Sequence, residues 1–102
     1  MHRILYSSYV HLSSHFQQLR DSEEALKNAK LALEHCKEVD NKDFRRMTDR
    51  QLAQLFLELR DFGEALIQGT KWPSHFGEND DSNEKHEARQ TMASITRGLL
   101  IP

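Results

Sequence analysis

Only one cysteine, Cys36, occurs among the 102 residues, so no internal disulfide is available and a stapled secreted scaffold is excluded. A reducing compartment suits such a chain, and an intracellular location, cytoplasmic or nuclear, is the expectation. Excess charge of either sign is equally scarce. Fourteen Lys and Arg stand against sixteen Asp and Glu, for a net charge of −2, which removes the electrostatic footprint of a general nucleic-acid binder. Long apolar runs are missing too. Met1 to Tyr6 is basic and then apolar, but Ser7, Ser8 and His11 interrupt the run before it reaches the length of a signal-peptide core. No stretch approaches the roughly 20 apolar residues that a membrane-spanning helix needs. No segment reads convincingly as a strand.

What is present is a mixture of 37% hydrophobic and 29% charged residues, the balance of amphipathic helices rather than of a disordered chain. A single domain of this length buries only about two thirds of the surface its unfolded chain exposes. Its core is therefore expected to be thin.

The chain resembles itself. A shift of forty residues, the difference between Arg20 and Arg60, superposes Leu12 on Leu52, Phe16 on Phe56, Leu19 on Leu59, Arg20 on Arg60, Asp21 on Asp61, Glu24 on Glu64, Ala25 on Ala65 and Leu26 on Leu66. Eight of the fifteen positions from 12 to 26 are identical, and they are the apolar and turn positions that a repeated structural unit requires. A second shift brings Met92 onto Leu52, Ala93 onto Ala53 and Leu99 onto Leu59. This third copy is fainter.

Within each copy the apolar spacing is helical. Leu5, Tyr9, Leu12, Phe16 and Leu19 recur at steps of three and four, and Ala25, Ala29, Ala32, Cys36 and Val39 form a second stripe. Between them Arg20-Asp21-Ser22 leaves room for a tight turn, with Asp21 or Ser22 able to accept from free amides of the next helix. The second copy carries Phe44, Met47, Leu52, Leu55, Phe56 and Leu59, then a turn at Arg60-Asp61, then Ala65, Leu66 and Trp72. Pro73 breaks the pattern, and the Gly-, Asn- and Asp-rich stretch to Asn83 reads as an exposed loop. Ala88, Met92, Ile95 and Leu99 mark a last helix. The expectation is helix pairs near 3–19 with 22–39 and 44–59 with 62–72, and a fifth helix near 83–99.

The succession Tyr9, Leu12, Ser13, Phe16, Ala25, Ala29, Ala32, followed by Leu52, Ala53, Phe56 and Ala65, resembles the signature of the tetratricopeptide repeat. Ala32 to Lys42 and Asp61 to Leu66 look like its longer-repeat branch, which includes kinesin light chains and scaffolds that regulate G-protein α subunits and spindle orientation. Departures fall at Asp49 and Arg89 in place of Tyr9, at Gly69 and Trp72 in place of Ala29 and Ala32, and at Thr96 in place of Phe16. The resemblance implies an all-α fold of antiparallel helix pairs stacked as a right-handed α-solenoid of about two and a half repeats. Residues 1–102 then form one domain, with repeats over about 3–40 and 43–73, a loop at 73–82 and a partial third repeat at 83–100.

The resemblance also implies a binding module, not an enzyme, without cofactor or metal. Its concave surface would carry Val10, His11, Ser14, Gln17 and Gln18 from one helix and Arg50, Gln51, Gln54, Leu57 and Glu58 from the next. Another protein or peptide is the expected partner, with Arg50 pairing to an acidic residue of it and Leu57 packing on an apolar one. The family's basic-and-asparagine clamp for a C-terminal carboxylate needs Lys and Asn where Val10 and Ser14 stand, so chaperone C-terminal peptides are not expected ligands. Two competing functions are a structural piece of a larger helical-repeat assembly, proteasome-lid-like or anaphase-promoting-complex-like, and a nucleic-acid-binding helical domain. Self-association through exposed repeat ends is a further expectation.

Other residues suggest chemistry and are read more plainly. His11 and His15 share a helical face at zinc-ligand spacing, but Leu12-Ser13 lies where a metalloprotease carries its Glu and no third ligand is near in sequence. Adjacent His35 and Cys36 diverge by about 100° around a helix, and Cys36 continues the apolar stripe. Arg45, Arg46 and Arg50 and the lysines 27, 30 and 37 are interleaved with acidic residues, as on a solvated helix surface. The run Glu78-Asn79-Asp80-Asp81 lacks the closing Glu of a calcium loop. Trp72 is either an interface anchor or the cover over the second pair.

Overall fold

Five α-helices run in chain order in a computed structural model that describes residues 1–100: α1 (His2–Gln18), α2 (Ser22–Lys37), α3 (Lys42–Glu58), α4 (Phe62–Lys71) and α5 (Asn83–Leu100). Residues 101 and 102, the end of the expected 1–102 domain, lie outside the described residues. No strand occurs among the described residues.

The repeated turns explain why the helices stop where they do. After α1 the chain turns left-handed at Arg20 (φ 61), where its amide donates to the Gln17 carbonyl and the Asp21 amide to the Phe16 carbonyl. The second copy does the same at Arg60 (φ 58), with bonds to Leu57 and Phe56. Both are Schellman closures, which satisfy carbonyls that a helix end leaves unpaired. The next residue then starts the following helix: the Asp21 carboxylate accepts from the Glu24 amide, and that of Asp61 from the Glu64 amide. Arg-Asp is thus stop and start in two residues, and the helices on either side run back along each other.

Packing follows the same plan in both copies. Helix α2 lies against α1 and α3, and α4 lies against α3 and α5. The central cluster joins Ala25, Ala29, Leu52, Leu55, Phe56, Ala65 and Ile95, with Phe16, Leu26 and Leu33 half-buried beside it. Ala25, Ala29, Ala32 and Ala65 are wholly buried, so the small side chains sit where helices approach most closely. Glycine extends this between α4 and α5. A Cβ on Gly69 would stand 2.6 Å from Met92 Sδ, and one on Gly98 would enter the Phe62 ring.

Several apolar expectations are corrected. Leu12 is 43% exposed while its counterpart Leu52 is 1% exposed. Leu52 is sealed by α2, and among the described residues no helix covers the outer side of α1. Met47 and Leu99 are likewise about half exposed, and Leu66 lies at the border of exposure. Trp72 resolves as a cover. It is fully buried against Ala53 and Ala88, its indole N–H donates to Glu84 at 3.2 Å, and the Arg50 guanidinium lies 5.8 Å from its ring. The stretch after it begins with a single 3-10 turn, Pro73–His75. It is then tied down by a 2.8 Å bond from His75 to the buried Asp49 carboxylate, and by the buried Lys85 ammonium, which donates to the carbonyls of Gly77 and Glu78.

Candidate functional site

Six of the ten sequence-selected surface residues come together. Val10, Ser14 and Gln17 of α1 face Arg50, Gln51 and Gln54 of α3 across a groove of about 210 Å³, with Met47 completing its lining. The other four lie apart. His11 and Gln18 are exposed on α1. Leu57 and Glu58 line a separate hollow with Phe62 of α4 and Ser94, Arg97 and Gly98 of α5. Leu57 is half-buried against the central cluster rather than presented to solvent.

Helical spacing sets the groove. Positions 10, 14 and 17 on α1 and 47, 50, 51 and 54 on α3 each follow steps of three or four, so each set forms a stripe beside the core stripe. The two stripes are held in register by hydrogen bonds that cross from one pair to the next. Ser13, wholly buried, donates its hydroxyl to the Ala25 carbonyl at 2.6 Å and accepts from Gln51 Nε2 at 2.9 Å. Gln17 Nε2 donates to Glu58 Oε1 at 3.0 Å, and the Ser22 hydroxyl donates to Glu58 Oε2 at 3.0 Å. At the other end the Tyr6 hydroxyl donates to the Phe44 carbonyl at 3.0 Å.

Arg50 has an acidic partner within the chain. One guanidinium nitrogen donates to both oxygens of Glu87 on α5, at 2.9 and 3.1 Å, and Gln54 Nε2 donates to the same carboxylate at 2.8 Å. A signal for this pair was present, because the forty-residue shift sets Glu87 on Met47 and so brings it to the same row. Met47 itself was counted with the core stripe, and its 45% exposure places it on the groove instead.

His35 and Cys36 take structural places, whereas His11 and His15 are exposed. His35 stacks on Tyr9 at 5.6 Å and meets His2 at 3.0 Å, whereas Cys36 turns inward beside Tyr6 and Ala32. Cys36 and His75 do line one hollow of about 370 Å³. There the imidazole is hydrogen-bonded to Asp49, and burial pushes the Cys36 thiol above its ordinary range, which disfavours the thiolate a nucleophile requires. Burial likewise raises the Tyr6 phenol. In the acidic loop, bonds from the Ser82 amide and hydroxyl hold the exposed Asp80 carboxyl below its usual range, so Asp80 serves the entry to α5.

No helix among the described residues is long and apolar enough to cross a membrane. Comparison with known proteins adds no relative: no family model matches the chain, and neither does any curated protein or any solved structure.

Proposed function

We propose that the chain is a protein-interaction module of tetratricopeptide-like repeats, a right-handed solenoid of about two and a half units, which binds an extended segment of another protein between α1 and α3. One observation carries this reading: six residues chosen as a binding surface from sequence line a single groove together with Met47. The groove is fixed in shape by cross-pair bonds through Ser13 and Glu58, and a preformed site loses less freedom on binding. The duplicated Arg-Asp turns and the buried alanines support the repeat architecture.

A second reading, a structural piece of a larger helical stack, draws on α1. Ile4, Leu12 and Leu19 are 72%, 43% and 62% exposed, at positions whose counterparts in α3 are largely covered. The two readings separate by selection of a displayed peptide library on the isolated chain. A binding module enriches peptides whose affinity falls at least about tenfold, or 1.4 kcal/mol, in a folded Val10→Asp, Met47→Asp variant. Enrichment of peptides indifferent to that variant removes the α1–α3 groove as the site.

A further inference from the structure

We infer that the outer face of α1 is a docking site for one α-helix of a partner protein. That helix carries a small residue at its centre, a large apolar residue three positions on, and carboxylates beside this stripe. The face is distinct from the α1–α3 groove, so it serves whether or not the groove is filled.

The forty-residue self-match lets one row of positions, spaced by steps of three and four on one side of a helix, be followed through α3, α5 and α1. On α3 the row is Phe44, Thr48, Leu52, Leu55 and Leu59, and its middle residues Thr48, Leu52 and Leu55 are at most 1% exposed. Helix α2 lies against it, with Ala29 in one cluster with Leu52 and Leu55. On α5 the row is Glu84, Ala88, Met92, Ile95 and Leu99, and α4 covers its middle. There Trp72 packs with Ala88, and a Cβ on Gly69 would stand 2.6 Å from Met92 Sδ and 3.1 Å from Ile95 Cδ1. On α1 the same row is Ile4, Ser8, Leu12, His15 and Leu19, and every one of these residues is exposed. Among the described residues no helix lies against it.

What meets the row twice within the chain describes what fits it a third time. In both covered copies a helix arrives with a small residue, Ala29 or Gly69, against the pair at the middle of the row. On α1 that pair is Leu12 and His15. A small side chain there lets the ridges of one helix enter the grooves of the other. Ser8 takes the place of Ala88, beside which Trp72 lies three residues after Gly69. A large apolar side chain three positions beyond the small one therefore fills the space over Ser8, between Ile4 and Leu12. Charge sets the flanks. Helix α1 contains no Asp or Glu, and the exposed His11 and His15 stand beside and on the row. An imidazole, neutral or protonated, has an N–H to give to a carboxylate. Two α1 faces from two copies would bring these histidines together with no carboxylate to pair them, which disfavours a second copy as the occupant.

The test titrates the full chain, by anisotropy, with two fluorescein-labelled helical peptides of about five turns. Both have alanine at the centre, tryptophan three positions on and leucine along the rest of the stripe, and one is flanked by glutamate, the other by lysine. The glutamate peptide is expected to bind at least about tenfold more tightly. Ile4→Asp with Leu12→Asp, at exposed positions, is expected to leave the circular dichroism unchanged and to weaken that peptide by at least about tenfold. Met47→Asp, in the groove, is expected to leave it bound. Leucine in place of the peptide's central alanine is expected to weaken binding to a similar extent, and His11→Ala with His15→Leu to keep binding while removing most of the preference for glutamate. Binding that survives Ile4→Asp with Leu12→Asp, or that Met47→Asp abolishes, would overturn the inference. So would no binding, a preference for lysine or none, an unchanged preference in the histidine variant, or equal binding of the leucine-centred peptide. A dimer in sedimentation that Ile4→Asp with Leu12→Asp dissociates would make a second copy the occupant, and would overturn it as well.

Discussion

Arg20 and Arg60, forty positions apart, hold the same left-handed backbone conformation, φ 61 and φ 58, and close α1 and α3 with the same pair of hydrogen bonds. Left-handed backbone costs a residue with a side chain roughly 1–2 kcal/mol, part of which glycine returns through its larger unfolded-state freedom. Arg20→Gly and Arg60→Gly are therefore expected to stabilise by about 0.5–1 kcal/mol each. Arg60→Pro, which cannot reach positive φ and loses the bond to Leu57, is expected to destabilise by about 3 kcal/mol or more. Urea denaturation of the three variants checks both signs.

The glycines between α4 and α5 give a second comparison. Alanine is the better helix former by about 1 kcal/mol, so its effect reports whether the space is open. At Gly69 the new methyl meets the flexible thioether of Met92, which can swing aside. At Gly98 it meets the rigid Phe62 ring. Gly98→Ala is expected to destabilise by about 1–3 kcal/mol, and Gly69→Ala by less than about 1 kcal/mol. The reverse order in thermal melts would mean that α5 packs differently on α4.

Ser13 joins α1, α2 and α3 through one oxygen. Ser13→Ala takes the donor from the Ala25 carbonyl and the acceptor from Gln51, and leaving buried polar groups unpaired costs about 1–3 kcal/mol. Ala25→Leu, at a wholly buried contact, is expected to cost a similar amount, about 1–3 kcal/mol, by overpacking. Exposed Lys27→Ala serves as the control and should leave the denaturation midpoint nearly unchanged.

Stability is expected to fall in alkali. Burial raises the Cys36 thiol above 9.0 and the Tyr6 phenol above 10.0, their ordinary values. Both groups thus ionise more readily in the unfolded chain. Their contribution is complete below the ordinary thiol value and is lost as pH rises through the folded-state values. Denaturation midpoints should hold steady from about pH 7 to 8 and decline from about pH 9 upward, and Cys36→Ala should flatten the first part of the decline. Native-state alkylation of Cys36 at about pH 8 should be much slower than alkylation in urea.

The helices were legible because each carried two independent signals, apolar spacing and a turn repeated forty residues on. Of the two acceptors that the first turn offers, Asp21 and Ser22, the structure uses Asp21, and Asp61 repeats it in the second turn. Leu12 misled because a helical stripe states which side of α1 is apolar, and does not state whether a neighbouring helix covers it. The Arg50 pairing is less plain in the sequence. Its partner Glu87 lies 37 positions away on α5, and the sequence marks that pair only through the forty-residue relation of Glu87 to Met47. The tethering of the loop by Lys85 and His75 leaves no mark in the sequence, since those bonds end on carbonyls and on a carboxylate of another helix. Six of the ten surface residues share one hollow, because the polar stripe next to a core stripe is fixed once the core stripe is known.

The central claim is that a partner segment lies between α1 and α3, and its most direct measurement is a nuclear magnetic resonance titration of the ¹⁵N-labelled chain with a peptide selected from the displayed library. The account expects the largest shifts on backbone amides of residues 10–17 and 47–54 and on the side-chain amides of Gln51 and Gln54, which line the groove. Shifts gathered instead on the outer faces of α2 and α4, around Lys30, Glu34, Glu64 and Gln68, would contradict it.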